Sequence, residues 1–237
     1  CKEEAVILLG PHSLLCGGGK MSSLVVDFYY DCISPYSWYA FEVLCRYQRL
    51  WNLTINLKPM FLGGIMQTTG NRPPGMVPAK ALYAGIDNSR NAKYFNVPTR
   101  PPPNFTEIMF KTLQFMRVLA SVSIHYPEKL ESTTRECWMK LWHRNESDLS
   151  KEFYLSWLKD SGIPKDKISF ILESVKTSEV KNRLKANTED ALKAGAFGSP
   201  SFVFTSSSGQ QEFFFGSDRF PVVAQVFGLE WLGPDPA

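Results

Sequence analysis

The sequence predicts an α/β fold carrying a long helical insertion, on three observations. Near the start, apolar runs from Leu24 to Met60 alternate as strand, helix and strand. At the far end, two short apolar runs separated by a Ser/Gly turn are followed by a helix, spanning Ser201 to Phe227. Between these two blocks, roughly 120 residues carry helical periodicity. With 237 residues the chain can bury a full core, either as one large domain or as a domain interrupted by another.

Each element has a local reason. Leu24 to Tyr30 is an apolar strand, and Ser34-Pro35 opens an amphipathic helix that runs on from Trp38 to Leu50. Serine is favoured at a helix cap because its hydroxyl satisfies a free backbone N–H, and proline at the first helical position loses nothing by lacking its own. Leu53, Ile55 and Leu57 repeat with the period of two of a half-buried strand. Gly63-Gly64 and then Gly70-Asn71-Arg72-Pro73-Pro74-Gly75 read as a stiff, exposed, turn-rich loop. Asn104 with Glu107 suggests a capping box for a helix through Ile124, with Ile108, Leu113, Met116 and Leu119/Ala120 on its apolar face. Pro127 opens the next helix, whose buried side is Trp138, Leu141 and Trp142; Ser150 caps a third that Gly162 ends, and Pro164 starts a fourth. A last helix ends at Gly195, Ser201 to Thr205 and Gln210 to Phe215 form a hairpin, and Gly216-Ser217-Asp218 opens a short helix with Val222, Val223, Val226 and Phe227 inward. The domain reading is therefore 21–62 plus 185–237 as the sheet domain and 63–184 as the insertion, with 1–20 a leader or non-native extension before Met21.

Composition excludes several classes. The net charge of +3 comes without a dense Lys/Arg block, which argues against nucleic acid and suits a small anionic ligand. No apolar run reaches the roughly 18 residues that would span a bilayer. Cys1, Cys16, Cys32, Cys45 and Cys137 contain no Cys-x-x-Cys pair and no zinc-type Cys/His spacing, so they read as reduced thiols with no metal site. His12, His125 and His143 are scattered and read as structural or solvated.

Ser34 to Ser37 is where chemistry is expected. A helix start aimed out of the carboxyl end of a strand offers unpaired N–H groups and partial positive charge to an anion such as a thiolate. Ser-Pro alone opens many helices that do no chemistry, so the reading depends on the rest of the chain. The element order is that of a thioredoxin-like fold with a large inserted all-helical domain. Ser34 to Ser37 then stands where redox members keep Cys-x-x-Cys, and Pro200 where they keep a cis-proline.

At this point the sequence resembles the kappa-class glutathione transferases, relatives of periplasmic disulfide oxidoreductases and of bacterial hydroxychromene carboxylate isomerases. The likeness runs from about Leu24 onward through D-C-I-S-P-Y-S-W (31–38), F-E-V-L-C-R-Y-Q (41–48), G-I-M (64–66), G-N-R-P-P-G (70–75), G-A-F-G-S-P (195–200) and F-G-S-D-R (215–219). It implies a homodimer that binds reduced glutathione as co-substrate, with no resident cofactor, and turns its sulfur on electrophiles or peroxides. In that implied site Ser34 is catalytic and contacts the thiolate, Pro35 and Tyr36 shape the first helical turn, and Asn71 and Lys80 reach the tripeptide from the insertion. Ser199 and Pro200 offer backbone groups to the cysteinyl unit, while Ser217 and Asp218 hold the γ-glutamyl end. Ser199 departs from the family, which usually has an aliphatic residue there, and makes the neighbouring wall less apolar. Cys32 reads as a buried small hydrophobe, though a thiol facing the site could form a mixed disulfide with glutathione. The resemblance also points to the mitochondrial matrix or peroxisome, with the cytosol as alternative. Competing readings are a glutathione-dependent isomerase and a non-catalytic thioredoxin-like binding protein; a disulfide oxidoreductase is disfavoured because Ser34 and Ser37 replace both cysteines.

The energetics are feasible. A thiol with pKa about 8.5 is only a few per cent ionised at pH 7, and lowering that value by two units takes about 2.7 kcal/mol. A hydrogen bond to a charged acceptor contributes roughly 1.5–3 kcal/mol and a helix N-terminus about 0.3–1, so Ser34 and its helix suffice without a metal.

Overall fold

The computed structural model describes residues 23–146 and 148–236. The expected leader 1–20 and the start at Met21 lie outside the described residues.

A four-stranded mixed sheet has the order β2-β1-β3-β4, with β1 Leu24–Tyr30, β2 Leu53–Pro59, β3 Ser201–Thr205 and β4 Gln211–Phe215. β1 runs parallel to β2 and antiparallel to β3, and β3 pairs antiparallel with β4. Helix α1 (Pro35–Tyr47) links β1 to β2. Between β2 and β3 stand α2 (Leu62–Thr69), α3 (Pro78–Tyr94), α4 (Phe105–His125), α5 (Leu130–Trp138), α6 (Lys151–Asp160), α7 (Lys165–Ser174) and α8 (Ser178–Lys193), and α9 (Phe220–Phe227) follows the hairpin. Thioredoxin-like order with helices inserted between β2 and β3 is thus what the chain forms. Helix α8 runs unbroken across positions 184 and 185, so a boundary drawn there falls inside an element.

β1 is central and alternates across its two faces. Val26, Phe28 and Tyr30 join Phe202 and Phe204 in the main core with α1, α4, α5 and α9, whereas Tyr29 packs on the opposite face with Met60, Ile65, Ala191 and Ala196. Trp138, fully buried at the end of α5, lies 5.5 Å from the ring of Tyr30 and 5.2 Å from that of Phe41, so the insertion and the sheet share one core.

Three local expectations are corrected. Gly63 and Gly64 sit in the first turn of α2, and the loop proper begins at Gly70, whose φ of 75° ends that helix in the left-handed region. Asn104 makes no side-chain cap; its amide instead donates to the Glu107 carboxylate at 3.4 Å. Helix α9 begins at Phe220 rather than at Gly216-Ser217-Asp218, with Arg219 as cap residue. That start sets the buried stripe as Phe220, Val223 and Ala224, with Phe227 packed against it, and turns Val222 and Val226 to solvent at 42% and 43% exposure.

Other sequence expectations hold in detail. Ser34 and Ser150 accept backbone N–H bonds as caps, Gly162 and Gly195 end their helices at positive φ, and Ser199-Pro200 is cis. Cys32, Cys45 and Cys137 are free thiols. His125 packs against the Phe170 ring, and His143 Nδ1 lies 3.0 Å from the Pro98 carbonyl.

Candidate active site

Register assembles the site. Tyr29 stands opposite Ser201 in the antiparallel ladder, so two further residues bring Asp31 opposite Ser199. Ser201 stands opposite Phe215 in the next ladder, so Gly216 meets Pro200, donating its N–H to the Pro200 carbonyl at 3.1 Å. The carboxyl ends of β1 and β4 and the amino end of β3 therefore converge at one end of the sheet.

The turn after β1 is built by Asp31. Its carboxylate accepts the N–H of Ile33 at 3.1 Å and of Leu62 at 3.0 Å, tying the turn to the start of α2. Its own carbonyl accepts the Ser34 N–H at 3.1 Å. Complete burial pushes the Asp31 carboxyl up to about 6, against which the two backbone donors act.

Ser34 is the N-cap of α1, extended at φ −89° and ψ 114°, and Pro35 follows in the first helical turn. Ser34 Oγ accepts the Ser37 N–H at 3.2 Å and donates to the Ser199 carbonyl at 3.2 Å. The second bond is long for O–H···O, whose usual length is about 2.7–2.8 Å, so the proton is available to a better acceptor. At 7% exposure the hydroxyl sits in a setting where a charge-assisted bond is stronger than it would be in water.

Ser199 meets α1 with its side chain as well. Its Oγ lies 2.6 Å from Ser37 Oγ and accepts the Asp31 N–H at 3.1 Å. Asn71, on the loop after α2, donates from Nδ2 to the Phe197 carbonyl at 2.6 Å and so holds the segment leading to Ser199. Gly198 allows the close approach there, because a Cβ would stand 2.7 Å from the Phe215 ring. Ser217 is buried beside this corner, and exposed Asp218 pairs with Arg219 at 3.4 Å. Gly216, at φ 100°, is needed for that left-handed backbone angle.

Tyr36 stands in the first turn of α1 as expected, and its hydroxyl and Lys80 both lie toward α3. Tyr36 donates its hydroxyl proton to Asp87 of α3 at 2.5 Å, and burial followed by that carboxylate pushes the phenol up, so the proton is committed to α3. Lys80 is exposed on α3, three residues before Tyr83 and seven before Asp87, without a bond to the Ser34 corner. Ser34, Pro35, Asn71, Ser199, Pro200 and the Gly216–Asp218 turn thus form one connected rim, with Lys80 apart on the helix beside it. Cys32 is fully buried, with its N–H donating to the Met116 sulfur at 3.5 Å, and burial holds its thiol well above the ordinary range. It therefore packs as a small hydrophobe.

Sequence reasoning missed Asp31, Ser37 as a partner of Ser199, and Asp87. Asp31 had a readable signal, since an aspartate at a strand end favours a bond to the N–H two residues on. Asp87 had none, because its pairing with Tyr36 joins helices 51 residues apart. Two open grooves of about 580 and 720 Å³ lie away from this corner, one lined by Asn104, Asn145, Glu146 and Asp148, the other by Asn88, Lys93, Asn96 and Arg100.

A serine-capped helix start facing a cis X-Pro turn at the end of a small mixed sheet defines a thioredoxin-like protein, and residues 25–228 match the family model described as DSBA-like thioredoxin domain. The chain is 40% identical to glutathione S-transferase kappa 1 of Homo sapiens over 89% of its own length and 94% of that relative's. The same-named protein of Rattus norvegicus is also 40% identical, over 90% of this chain and 94% of its own. The chain belongs to the kappa class of glutathione S-transferases. Among solved structures, a 2-hydroxychromene-2-carboxylate isomerase superposes with a TM-score of 0.71 across 86% of this chain and 94% of its own, at 19% identity, a likeness of fold.

Proposed function

We propose that the protein binds reduced glutathione at the Ser34 corner and joins it through sulfur to small electrophiles, displacing their leaving group. The observation that carries this reading is the Ser34 hydroxyl, held at a helix N-terminus with its proton on a long bond to the Ser199 carbonyl. Arrival of a thiolate offers that proton a charged acceptor, and the hydroxyl and the helix end together favour the anion. Asn71 and the Ser199-Pro200 backbone border the cysteinyl position, Ser217 and Asp218 the γ-glutamyl end, and Lys80 the approach from α3. Glutathione is consumed as co-substrate, and the chemistry asks for no resident cofactor or metal.

The same thiolate can attack a peroxide oxygen, breaking the O–O bond to release an alcohol and leave glutathione sulfenic acid, from which a second glutathione displaces water to form glutathione disulfide. Homodimerisation is supported by α3, none of whose residues is buried, and by the exposure of Met76, Leu82, Tyr83 and Ile86 along that segment. Residence in the mitochondrial matrix or peroxisome completes the proposal, supported by family resemblance alone; imaging of a tagged full-length protein checks it.

Conjugation of glutathione to an aryl halide tests the central reading, alongside thermal unfolding with and without glutathione. Ligand at about 100 times its dissociation constant should stabilise the fold by roughly 2.7 kcal/mol. Absence of both stabilisation and turnover would remove the proposal.

A further inference from the structure

Counting protons at the Ser34 corner leaves one over. Ser37 is fully buried, and its hydroxyl has a single partner among the described residues, the oxygen of Ser199 at 2.6 Å. A hydroxyl carries one proton and two lone pairs. If Ser199 donated to Ser37, the Ser37 proton would be stranded in the core, at a cost comparable to a lost hydrogen bond. Ser37 therefore donates. The Asp31 N–H donates to the same oxygen at 3.1 Å, so both lone pairs of Ser199 are filled. Its own proton then has no acceptor in the protein among the described residues, while Ser199 is half-buried beside the Ser34 hydroxyl that bonds its carbonyl.

We infer that the Ser199 hydroxyl is a second donor to the substrate thiolate, acting beside Ser34. This rests on the reading of the corner as a glutathione site and adds a catalytic group to it. The three-hydroxyl arrangement is asymmetric: Ser37 and the Asp31 amide occupy the acceptor positions of the Ser199 oxygen and leave its proton for the anion. A second preorganised donor needs no reorganisation when the thiol ionises, which is where such groups act most strongly. Because the family resemblance places an aliphatic residue before the proline, the added donor is a property of this chain.

The test compares Ser199→Val with Ser199→Thr, nearly isosteric side chains that differ in the hydroxyl, in the full-length protein. The pKa of bound glutathione is read from the ultraviolet absorbance of its thiolate. Ser199→Val should raise that pKa by about one unit, a tenfold loss of the thiolate-to-thiol ratio, while Ser199→Thr restores it. S-methylglutathione, which cannot ionise at sulfur, should bind wild type and Ser199→Val equally; should valine prevent folding, Ser199→Ala serves in its place. An unchanged pKa in Ser199→Val alongside a raised one in Ser34→Ala overturns the second donor and leaves the site intact. Equal weakening of S-methylglutathione and glutathione binding overturns it too, as a merely structural effect. A wild-type complex whose thiol pKa matches free glutathione overturns the thiolate reading itself.

Discussion

Ser34 holds two bonds of different character, and its removal separates them. On the proposed reading, Ser34→Ala should forfeit roughly 1.5–3 kcal/mol of preference for a bound thiolate and so raise the thiol pKa by about one to two units. Activity at pH 7 should fall, and the acidic limb of the pH–rate profile should move to higher pH. Loss of the bond from the Ser37 N–H costs a further ~1 kcal/mol of fold stability, measurable by denaturant unfolding without ligand. Asp31 gives a second residue-scale prediction. Its carboxyl rises from 3.8 to about 6 on folding, so the native state holds that proton more tightly than the unfolded chain. The stabilisation is fully present below about pH 4 and is lost as pH rises through about 6, amounting to about 3 kcal/mol. The stability of wild type relative to Asp31→Asn should therefore decline between pH 4 and pH 7, whereas parallel curves would deny Asp31 its raised pKa. Ser34 and Pro35 could be read from sequence because capping is local chemistry. The burial of Asp31 could not, since it depends on Leu62 arriving from another element.

At the scale of elements, α3 is the least anchored helix of the site. It has no buried residue, and tyrosines of α1 hold it by hydrogen bonds, Tyr36 to Asp87 at 2.5 Å and Tyr39 to Asn88 at 3.2 Å. Tyr36→Phe removes a bond to a charged acceptor worth about 1.5–3 kcal/mol, taken from local opening rather than from the global transition. Amide exchange along α3 should accelerate by about tenfold or more, with β1 and β3 unchanged. Uniform acceleration across the sheet would instead make Tyr36 part of the global core. Element existence was legible from periodicity, as was the start of α4 after Asn104, but the starts of α2 and α9 were not. Gly63-Gly64 opens α2 because the Phe61 ring lies over both positions, where a Cβ would stand 2.6 Å and 3.3 Å from it. Asn104 answers Glu107 through its side chain, and Ser217-Asp218 is drawn into the sheet corner by the Gly216 bond to Pro200 before α9 can begin.

Across the whole molecule, one core joins what sequence reading divides into two units. Trp138 of α5 stacks at 6.4 Å from Trp38 of α1 and touches rings of β1 and α1. Trp138→Ala should cost about 3–5 kcal/mol, and sheet and helices should lose it together. Tryptophan fluorescence and far-ultraviolet dichroism should give coincident denaturation curves in wild type. Two separated transitions would mean that the insertion folds independently. The insertion itself was legible as a long helical interval, whereas its attachment was not, because aromatic contacts between positions 100 residues apart leave no periodic trace.

The sheet order has a consequence for how the chain is made. β1 leaves the ribosome early, yet its antiparallel partner β3 begins only at Ser201, after every helix of the insertion. Until then the nascent chain exposes an open strand edge along Val25 to Tyr29, and the Ser34 corner lacks the carbonyl that its hydroxyl meets. Helices with local contacts can form during that wait, but the pairing that closes the site belongs to the last part of synthesis. A chain stalled before Ser199 therefore carries β1 without its antiparallel partner and Ser34 without the carbonyl that its hydroxyl meets.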